Sequence, residues 1–204
     1  MTTRVIKKSG VKMDSSEMHL LWNMCSFERS KSPWCQYPAW CSVFTMDDLK
    51  LWQFSNDLEY YYTYGYGSKE ITHQMTQPLF EDLFSHFDKL VSNTTILKSS
   101  ILNFGHDSTV QTLLSALGLF RDDHNLLASD WPDDYSWKTS HIVPFATNIG
   151  IILYQCQAED YKVMMLHNEK VMKQPACGDN LCSLKKFKHF YRNYLEIDFA
   201  EVCN

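Results

Sequence analysis

The stretch Ile101-Leu102-Asn103-Phe104-Gly105-His106-Asp107-Ser108-Thr109 decides the fold class of this chain. Its first four residues are apolar apart from one asparagine, and this run predicts a buried strand over residues 101–104. Ser108 and the following Gln111 predict a capping box that starts a helix. The stretch therefore predicts a strand that passes into a helix N-terminus, an arrangement that binds anions in α/β proteins.

Helical periodicity continues beyond this stretch. Apolar residues recur at the spacing of one helix face at Val110, Leu113, Leu114 and Leu117. Gly118 follows at the point where a helix favours glycine as its stop signal. The first N–H groups of such a helix have no partner within it, and they favour a negatively charged ligand.

Two titratable side chains, His106 and Asp107, lie at this junction. In the functional interpretation, His106 donates a hydrogen bond to a phosphoryl oxygen and Asp107 protonates the leaving alkoxide. Asp107 must carry a proton for that step, which desolvation or a nearby phosphate would favour. In the alternative interpretation, Asp107 and Ser108 only cap the helix and His106 is a loop residue.

The rest of the chain is predicted to contain helices first and an α/β part afterwards. Residues 1–13 are expected to be a disordered start, residues 14–98 a helical cap portion, and residues 99–204 the C-terminal part of an α/β core. Capping residues and apolar spacing predict helices that begin at Asp14, Thr45, Gln77 and Leu184. They also predict a hairpin of two strands, Asn148–Cys156 and Tyr161–Leu166.

The α/β part looks incomplete, because one strand–helix unit cannot build a covered parallel sheet. The missing strands would leave a sheet edge unpaired, which favours association of the isolated chain and poor solubility.

Composition excludes several classes of function. Hydrophobic residues make up 45% of the 204 residues, and the net charge of -5 gives no reason to expect a nucleic-acid partner. The sequence has no run of about 18 apolar residues, so no membrane span is expected. Residues 1–12 lack the apolar core of a signal peptide.

Seven cysteines and one acceptor triplet for N-glycosylation nevertheless favour the secretory pathway. The triplet is Asn93-Thr94-Thr95. The number of cysteines is odd, so at least one is free or has its partner elsewhere. Because disulfides without a signal peptide are contradictory, either the thiols are reduced or the true N-terminus is missing.

Six further segments, together with His106-Asp107, resemble the histidine acid phosphatases, and among them the phytases and the multiple inositol polyphosphate phosphatases. The resemblance keeps the order and spacing of that branch over roughly residues 14–195. The segments are Asn23–Glu28, Cys41–Thr45, Asn56–Tyr61, Gly65–Gly67, Ile142–Ala146 and Val163–Val171.

The resemblance implies the histidine phosphatase fold, an α/β fold with a mixed sheet, flanking helices and a helical cap. It also implies phosphomonoester hydrolysis through a phosphohistidine, without a metal or another cofactor. His106 then binds the phosphate and Asp107 is the proton donor. The inositol polyphosphate branch often has His-Ala-Glu at this motif, so His106-Asp107 is more similar to phytases and acid phosphatases.

One of the family's two catalytic motifs is absent from this sequence. The nucleophilic histidine lies in an Arg-His-Gly-x-Arg-x-Pro motif, and this sequence contains no Arg-His pair. The chain is therefore expected to be the C-terminal portion of such an enzyme, without the N-terminal strands, and to be inactive alone. A non-catalytic pseudoenzyme or a phosphate- or partner-binding remnant is the alternative. A metal-dependent His-Asp phosphohydrolase is a third interpretation, which the strand–cap context disfavours.

The resemblance also implies a class of substrate, a cellular compartment and pairings of the cysteines. It implies a phosphorylated small molecule such as an inositol polyphosphate, and a parent protein in the endoplasmic reticulum lumen or outside the cell; it leaves the oligomeric state open. Cys25 and Cys41, and likewise Cys177 and Cys182, match disulfide-paired positions. Cys156 matches a cysteine whose partner lies in the missing half, and Cys35 and Cys203 remain unassigned.

Two alternatives stay open in the C-terminal region. A zinc site could form from Cys177, Cys182 and His189, although four ligands are not visible. The basic helix face of Lys185, Lys186 and Lys188 is interpreted as a solvated surface, with a role in binding inositol phosphates as the alternative.

Overall fold

The computed structural model describes residues 2–31, 38–92, 100–132, 134–157 and 160–197. The chain forms two compact units, one of Met1–Asn56 with Trp131–Asp133 and the other of Asp57–Asp130 with Asp134–Asn204. This division differs from the boundary between residues 98 and 99 that the sequence pattern predicts.

The first unit contains helices α1 (Thr2–Ser9), α2 (Ser15–Lys31) and the beginning of α3 (Met46–Tyr64), with a short 3-10 turn at Trp40–Val43. The expectation of a disordered start over residues 1–13 is wrong, because Thr2–Ser9 are helical. Val5 is fully buried and belongs to an apolar cluster with Met18, Cys25 and Phe44. Burial of this side chain outweighs the polar composition of the segment.

Capping boxes start two of these helices, at Asp14 and Thr45, the two residues that the sequence predicts as caps. Asp14 N donates to Glu17 Oε2 and Glu17 N donates to Asp14 Oδ1, both at 2.9 Å. Before α3, Thr45 N donates to Asp48 Oδ2 at 2.9 Å and Asp48 N donates to Thr45 Oγ1 at 3.3 Å. Each box satisfies N–H groups that the first turn of a helix leaves without partners.

The second unit contains the end of α3 and the remaining elements. Its helices are α4 (Lys69–Met75), α5 (Gln77–Val91), α6 (Asp107–Ala116), α7 (Thr139–Ile142) and α8 (Leu184–Tyr191), with 3-10 turns at Tyr66–Ser68, Ala128–Asp130 and Arg192–Leu195. Its strands are β1 (Ile149–Gln157), β2 (Asp160–His167), β3 (Lys170–Met172) and β4 (Leu181–Ser183). The predicted helix over Gln77–Val91 and the predicted hairpin of β1 and β2 are confirmed.

The sheet is built around β2. β1 pairs with one side of β2 in register Ile151↔Met165, and β3 and β4 pair with β2 in registers Met165↔Met172 and Val163↔Cys182. All of these pairs are antiparallel, whereas a mixed sheet was expected. Within the described ranges, no strand pairs with the outer edge of β1.

The prediction of a buried strand over residues 101–104 is wrong. These residues have no regular secondary structure, and Leu102 and Phe104 are 77% and 93% exposed. A strand needs a neighbouring strand for its N–H and C=O groups, and none of the strands β1–β4 pairs with this segment. The apolar run indicates that the residues favour a strand conformation, but it gives no information about a pairing strand.

Aromatic packing joins α5 and α8. Phe80 stacks on Tyr191 with ring centroids 5.3 Å apart, and Phe84 meets Phe187 edge-on at 6.1 Å. Lys188 forms an ion pair with Asp88 at 2.5 Å, so this lysine is not available for a ligand on the predicted basic face. Lys185 and Lys186 of that face are exposed.

A buried carboxylate connects α3 to the segment that precedes β1. Asp57 is 0% exposed, and its oxygens accept hydrogen bonds from Thr139 N at 2.8 Å, from the Thr139 hydroxyl and from the Tyr135 hydroxyl at 2.6 Å. These three donors satisfy a charge that has no contact with water, which is the condition for burying it.

Replacement of Asp57 by Ala should destabilise the chain strongly. The substitution removes the acceptor of three hydrogen bonds, two of which come from the buried Thr139, at a cost of about 3 kcal/mol. We expect the melting temperature to fall by about 6–12 °C in differential scanning fluorimetry at low protein concentration. Glu59→Ala, on the exposed side of the same helix, is the matched control, and equal shifts for both variants would contradict this account.

Candidate functional site

His106 lies at the N-cap of α6. Its backbone is extended, with φ −87° and ψ 168°, and its carbonyl accepts the first helical hydrogen bond from Val110 N at 3.2 Å. The helix therefore begins at Asp107, and the predicted capping box of Ser108 and Gln111 is wrong. Gln111 is fully buried one turn into the helix, so its side chain faces the core and cannot cap the helix.

The first turn of α6 carries several groups that can meet an anion. The N–H groups of Asp107, Ser108 and Thr109 have no acceptor within the helix, because the first helical bond is donated by Val110. His106 and Asp107 are both exposed. Neither side chain has a hydrogen-bond or ion-pair partner in the part of the chain that the structure describes. The imidazole of His106, the carboxyl group of Asp107 and the free N–H groups of residues 107–109 thus lie within one short segment.

Gly105 allows the chain to approach this turn closely. A Cβ atom at residue 105 would lie 3.3 Å from Cβ and Oγ1 of Thr109, which is tighter than ordinary van der Waals contact. A side chain at this position would therefore require the Thr109 side chain to shift by a few tenths of an ångström.

The opposite end of α6 is fixed by Gly118. This glycine has φ +76°, and Leu119 N donates to Leu114 O at 3.0 Å, which is the geometry of a glycine C-cap. Leu114 and Leu117 are fully buried. The predicted stop signal is confirmed, and the packed end holds the helix that presents the exposed residues at its start.

Tyr60 lies near the end of α3 and is half-buried. Burial, and next the negative charge of Asp107, raises the pKa of the Tyr60 phenol. The Tyr60 ring lies 5.6 Å from that of Tyr64, one helical turn further along α3.

The structure pairs four cysteines. Cys25 and Cys41 form a disulfide with a Cα–Cα distance of 4.6 Å, and Cys177 and Cys182 form another at 5.6 Å. Two bonded sulfurs cannot serve as thiolate ligands, which removes two of the three residues of the zinc alternative. Cys156 is exposed and unbonded in the described residues. Cys35, Cys203 and the glycosylation candidate Asn93 lie outside the described residues.

Neither a metal cluster nor a membrane helix is found in the part of the chain that the structure describes. Its His, Cys, Asp and Glu side chains nowhere gather in a group of three that could hold a metal ion. None of its helices combines the length and the apolar character that crossing a bilayer requires.

Residues 2–168 match the family model of the histidine phosphatase superfamily (branch 2). The chain therefore belongs to this superfamily. The α/β architecture agrees with the phytase from D. castellii, whose crystal structure superposes with a TM-score of 0.76 at 19% identity, over 95% of this chain and 42% of the phytase.

Curated relatives include phosphatases of animals and yeast. The chain is 34% identical to multiple inositol polyphosphate phosphatase 1 of Homo sapiens over 195 residues, which is 88% of this chain and 39% of the relative. It is 34% identical to the protein of the same name from Gallus gallus, over 80% of this chain and 39% of the relative. It is 30% identical to a thiamine-repressible acid phosphatase of Schizosaccharomyces pombe, over 88% of this chain and 40% of the relative. The chain thus spans less than half the length of these relatives.

Two buried glutamines should respond oppositely to the same substitution. Gln111 is 0% exposed, and neither its Nε2 nor its Oε1 has a hydrogen-bond partner among the described residues. By contrast, Nε2 of the equally buried Gln174 donates to Val163 O at 2.7 Å and to Asn180 O at 2.8 Å. Replacement by Met keeps the length of the side chain. We expect Gln111→Met to stabilise the chain by about 1–2 kcal/mol and Gln174→Met to destabilise it by about 2–3 kcal/mol.

Chemical denaturation of the two variants beside the unmodified chain measures this difference. Because each variant is the control for the other, a general effect of adding methionine to the core would move both in the same direction. Stabilisation by Gln174→Met, or destabilisation by Gln111→Met, would show that the hydrogen bonding of these side chains differs from that described.

Proposed function

We propose that this chain supplies the proton donor and a phosphate ligand of a phosphomonoester hydrolase. Asp107 is the proton donor and His106 binds the phosphate. The observation that carries the proposal is the exposed His106-Asp107 pair at the free N–H groups of α6, in a chain that belongs to the histidine phosphatase superfamily. The alternative of a purely capping role gives no reason for the exposed imidazole beside the carboxyl group.

The proposed chemistry follows from these groups. The N–H groups of residues 107–109 and the imidazole of His106 donate hydrogen bonds to the phosphoryl oxygens and offset their negative charge. The bound phosphate favours the protonated form of the nearby Asp107 carboxyl group. Asp107 then transfers its proton to the oxygen of the leaving alcohol, and its carboxylate takes a proton from the water that releases the phosphate.

The nucleophile is the part of this chemistry that the chain does not supply. The sequence has no Arg-His pair, so it has no candidate for the histidine that the family uses to form a phosphohistidine. A general acid alone contributes on the order of 10²–10⁴ in rate, far less than a phosphatase requires. The chain by itself is therefore inactive in this proposal.

Inositol polyphosphates are the proposed class of substrate. The names of the Homo sapiens and Gallus gallus relatives support this choice. Lys185 and Lys186 are exposed, but α8 gives no contact that would assign them to a ligand. A non-catalytic pseudoenzyme that binds phosphate or a partner remains the alternative function, and it shares the binding half of the site but not the proton transfer.

The proposed compartment is the secretory pathway, in the endoplasmic reticulum lumen or outside the cell. The disulfides Cys25–Cys41 and Cys177–Cys182 support an oxidising environment. The triplet at Asn93 supports glycosylation at that residue.

Phosphate binding without turnover is the expected behaviour of the purified chain. Inorganic phosphate should shift the backbone amide signals of residues 105–109 in nuclear magnetic resonance spectra. His106→Ala should weaken this binding about 10-fold, because it removes a hydrogen bond to a charged group. The exposed His141 provides a matched control, since His141→Ala removes an imidazole from a different helix.

The same preparation tests whether the chain contains a nucleophile of its own. At about pH 5, where family members act as acid phosphatases, p-nitrophenyl phosphate should not be hydrolysed above the buffer rate. Hydrolysis that Asp107→Asn abolishes would show that the chain has its own nucleophile. Absence of any amide shift with phosphate would contradict the proposed site.

Mass spectrometry after digestion without reduction tests the cysteine pairing. We expect peptides that link Cys177 to Cys182 and Cys25 to Cys41 in protein produced through a secretory host. Digestion after reduction is the control and should release the separate peptides. Free thiols at Cys177 and Cys182 together with bound zinc would restore the metal alternative.

A further inference from the structure

The exposed side of α2 carries an apolar stripe, formed by Leu20, Met24 and Phe27. Their side chains are 62%, 38% and 71% exposed. The three residues are spaced four and three positions apart, so they lie along one face of the helix. Single exposed apolar residues are common on protein surfaces, but a continuous row of them on one face is typical of an interaction surface.

The opposite side of α2 is already packed, so the helix cannot turn to bury the stripe. Met18 and Cys25 belong to the buried apolar cluster of the first unit, and Cys25 is bonded to Cys41. Trp22 stacks on Trp52 with ring centroids 6.1 Å apart. The helix therefore has two apolar sides, of which only one is covered by the part of the chain that the structure describes.

Charges of opposite sign lie at the two ends of the stripe. Glu17 precedes Leu20 by three residues and Lys31 follows Phe27 by four, which continues the spacing of a coiled-coil seam. Both residues are exposed, and neither has an ion-pair partner among the described residues. Oε2 of Glu17 accepts the hydrogen bond from Asp14 N, which leaves Oε1 for another partner. The surface thus has an acidic end, an apolar middle and a basic end.

This order of groups is complementary to itself when one copy is reversed. An antiparallel second copy would place Leu20 opposite Phe27 and Glu17 opposite Lys31, and each of these contacts would occur twice about a two-fold axis. A parallel copy would place like charges together at both ends, which disfavours that orientation. Charge complementarity therefore identifies a second copy of this chain, in the antiparallel orientation, as the occupant of the stripe.

We propose that the chain forms a symmetric dimer in which α2 packs antiparallel against α2 of a second copy, with the two-fold axis near Met24. Burial of the stripe contributes the apolar contact, and the pairs of Glu17 with Lys31 of the second copy determine the orientation. The inference concerns a surface of the first unit and is independent of the proposed phosphate site.

Zero-length cross-linking of the complete chain tests the orientation. A carbodiimide joins a carboxyl group to an amine as an amide without a spacer, so the two groups must be in contact. Glu17 and Lys31 of one chain are about 21 Å apart along the helix axis and cannot be joined to each other. We expect mass spectrometry of the dimer fraction to find a peptide that links Glu17 to Lys31, and this link can form only between two copies.

Sedimentation equilibrium tests the contribution of the stripe. Leu20→Ser removes an apolar contact twice in a symmetric dimer, so we expect the dissociation constant of the dimer to rise about 10- to 100-fold. Ile71 of α4 is also 62% exposed and lies outside the stripe. Ile71→Ser is therefore the matched control, and it should leave the dissociation constant within about 2-fold of the unmodified chain.

Three results would overturn the proposal. The first is a chain that sediments as a monomer at every concentration. The second is a dimer without a link between Glu17 and Lys31, as pairing through the edge of β1 would give. The third is an equal effect of Leu20→Ser and Ile71→Ser on the dissociation constant.

Discussion

A carboxylate that has no contact with water must be satisfied by protein donors, and in this chain Asp57 is that carboxylate. Its partners, Thr139 and Tyr135, belong to the segment that leads into the sheet. The bonds fix that segment against α3 and bring Trp137 to its fully buried position against Tyr61. The orientation of the end of α3 therefore depends on the hydrogen bonds of this one buried carboxyl group.

In the proposed site, phosphate binding and proton transfer are separate from nucleophilic attack. The N–H groups at the start of α6, His106 and Asp107 come from one short segment, so their relative geometry is largely set by the helix alone. A nucleophile must approach the phosphorus atom opposite the leaving oxygen, and a segment this short cannot supply both sides of the phosphate. A second segment must therefore supply the nucleophile for the proposed chemistry.

Local interactions were the part of the structure that the sequence could predict. The boxes at Asp14 and Thr45, the glycine stop at Gly118 and the hairpin of β1 and β2 depend on residues a few positions apart, and all four are present. The buried strand over residues 101–104 was wrong because a strand depends on a partner that no local pattern encodes. The helical start was wrong for a related reason, since the burial of Val5 depends on residues of other segments.

The candidate site could be predicted only in part, for the same physical reason. His106 and Asp107 are adjacent in sequence and could be recognised as a pair. Even within the motif, the N-cap of α6 is His106 rather than Ser108, and Gln111, the expected capping partner, is fully buried.

The outer edge of β1 can pair with more than one kind of strand. The strand has nine residues without a charge or a proline, the two features with which proteins usually protect such an edge. A polypeptide that adds a strand here and a second copy of the chain would compete for the same N–H and C=O groups. Because only one of them can pair with the edge at a time, a partner strand that occupies β1 also blocks self-association of the chain through this edge.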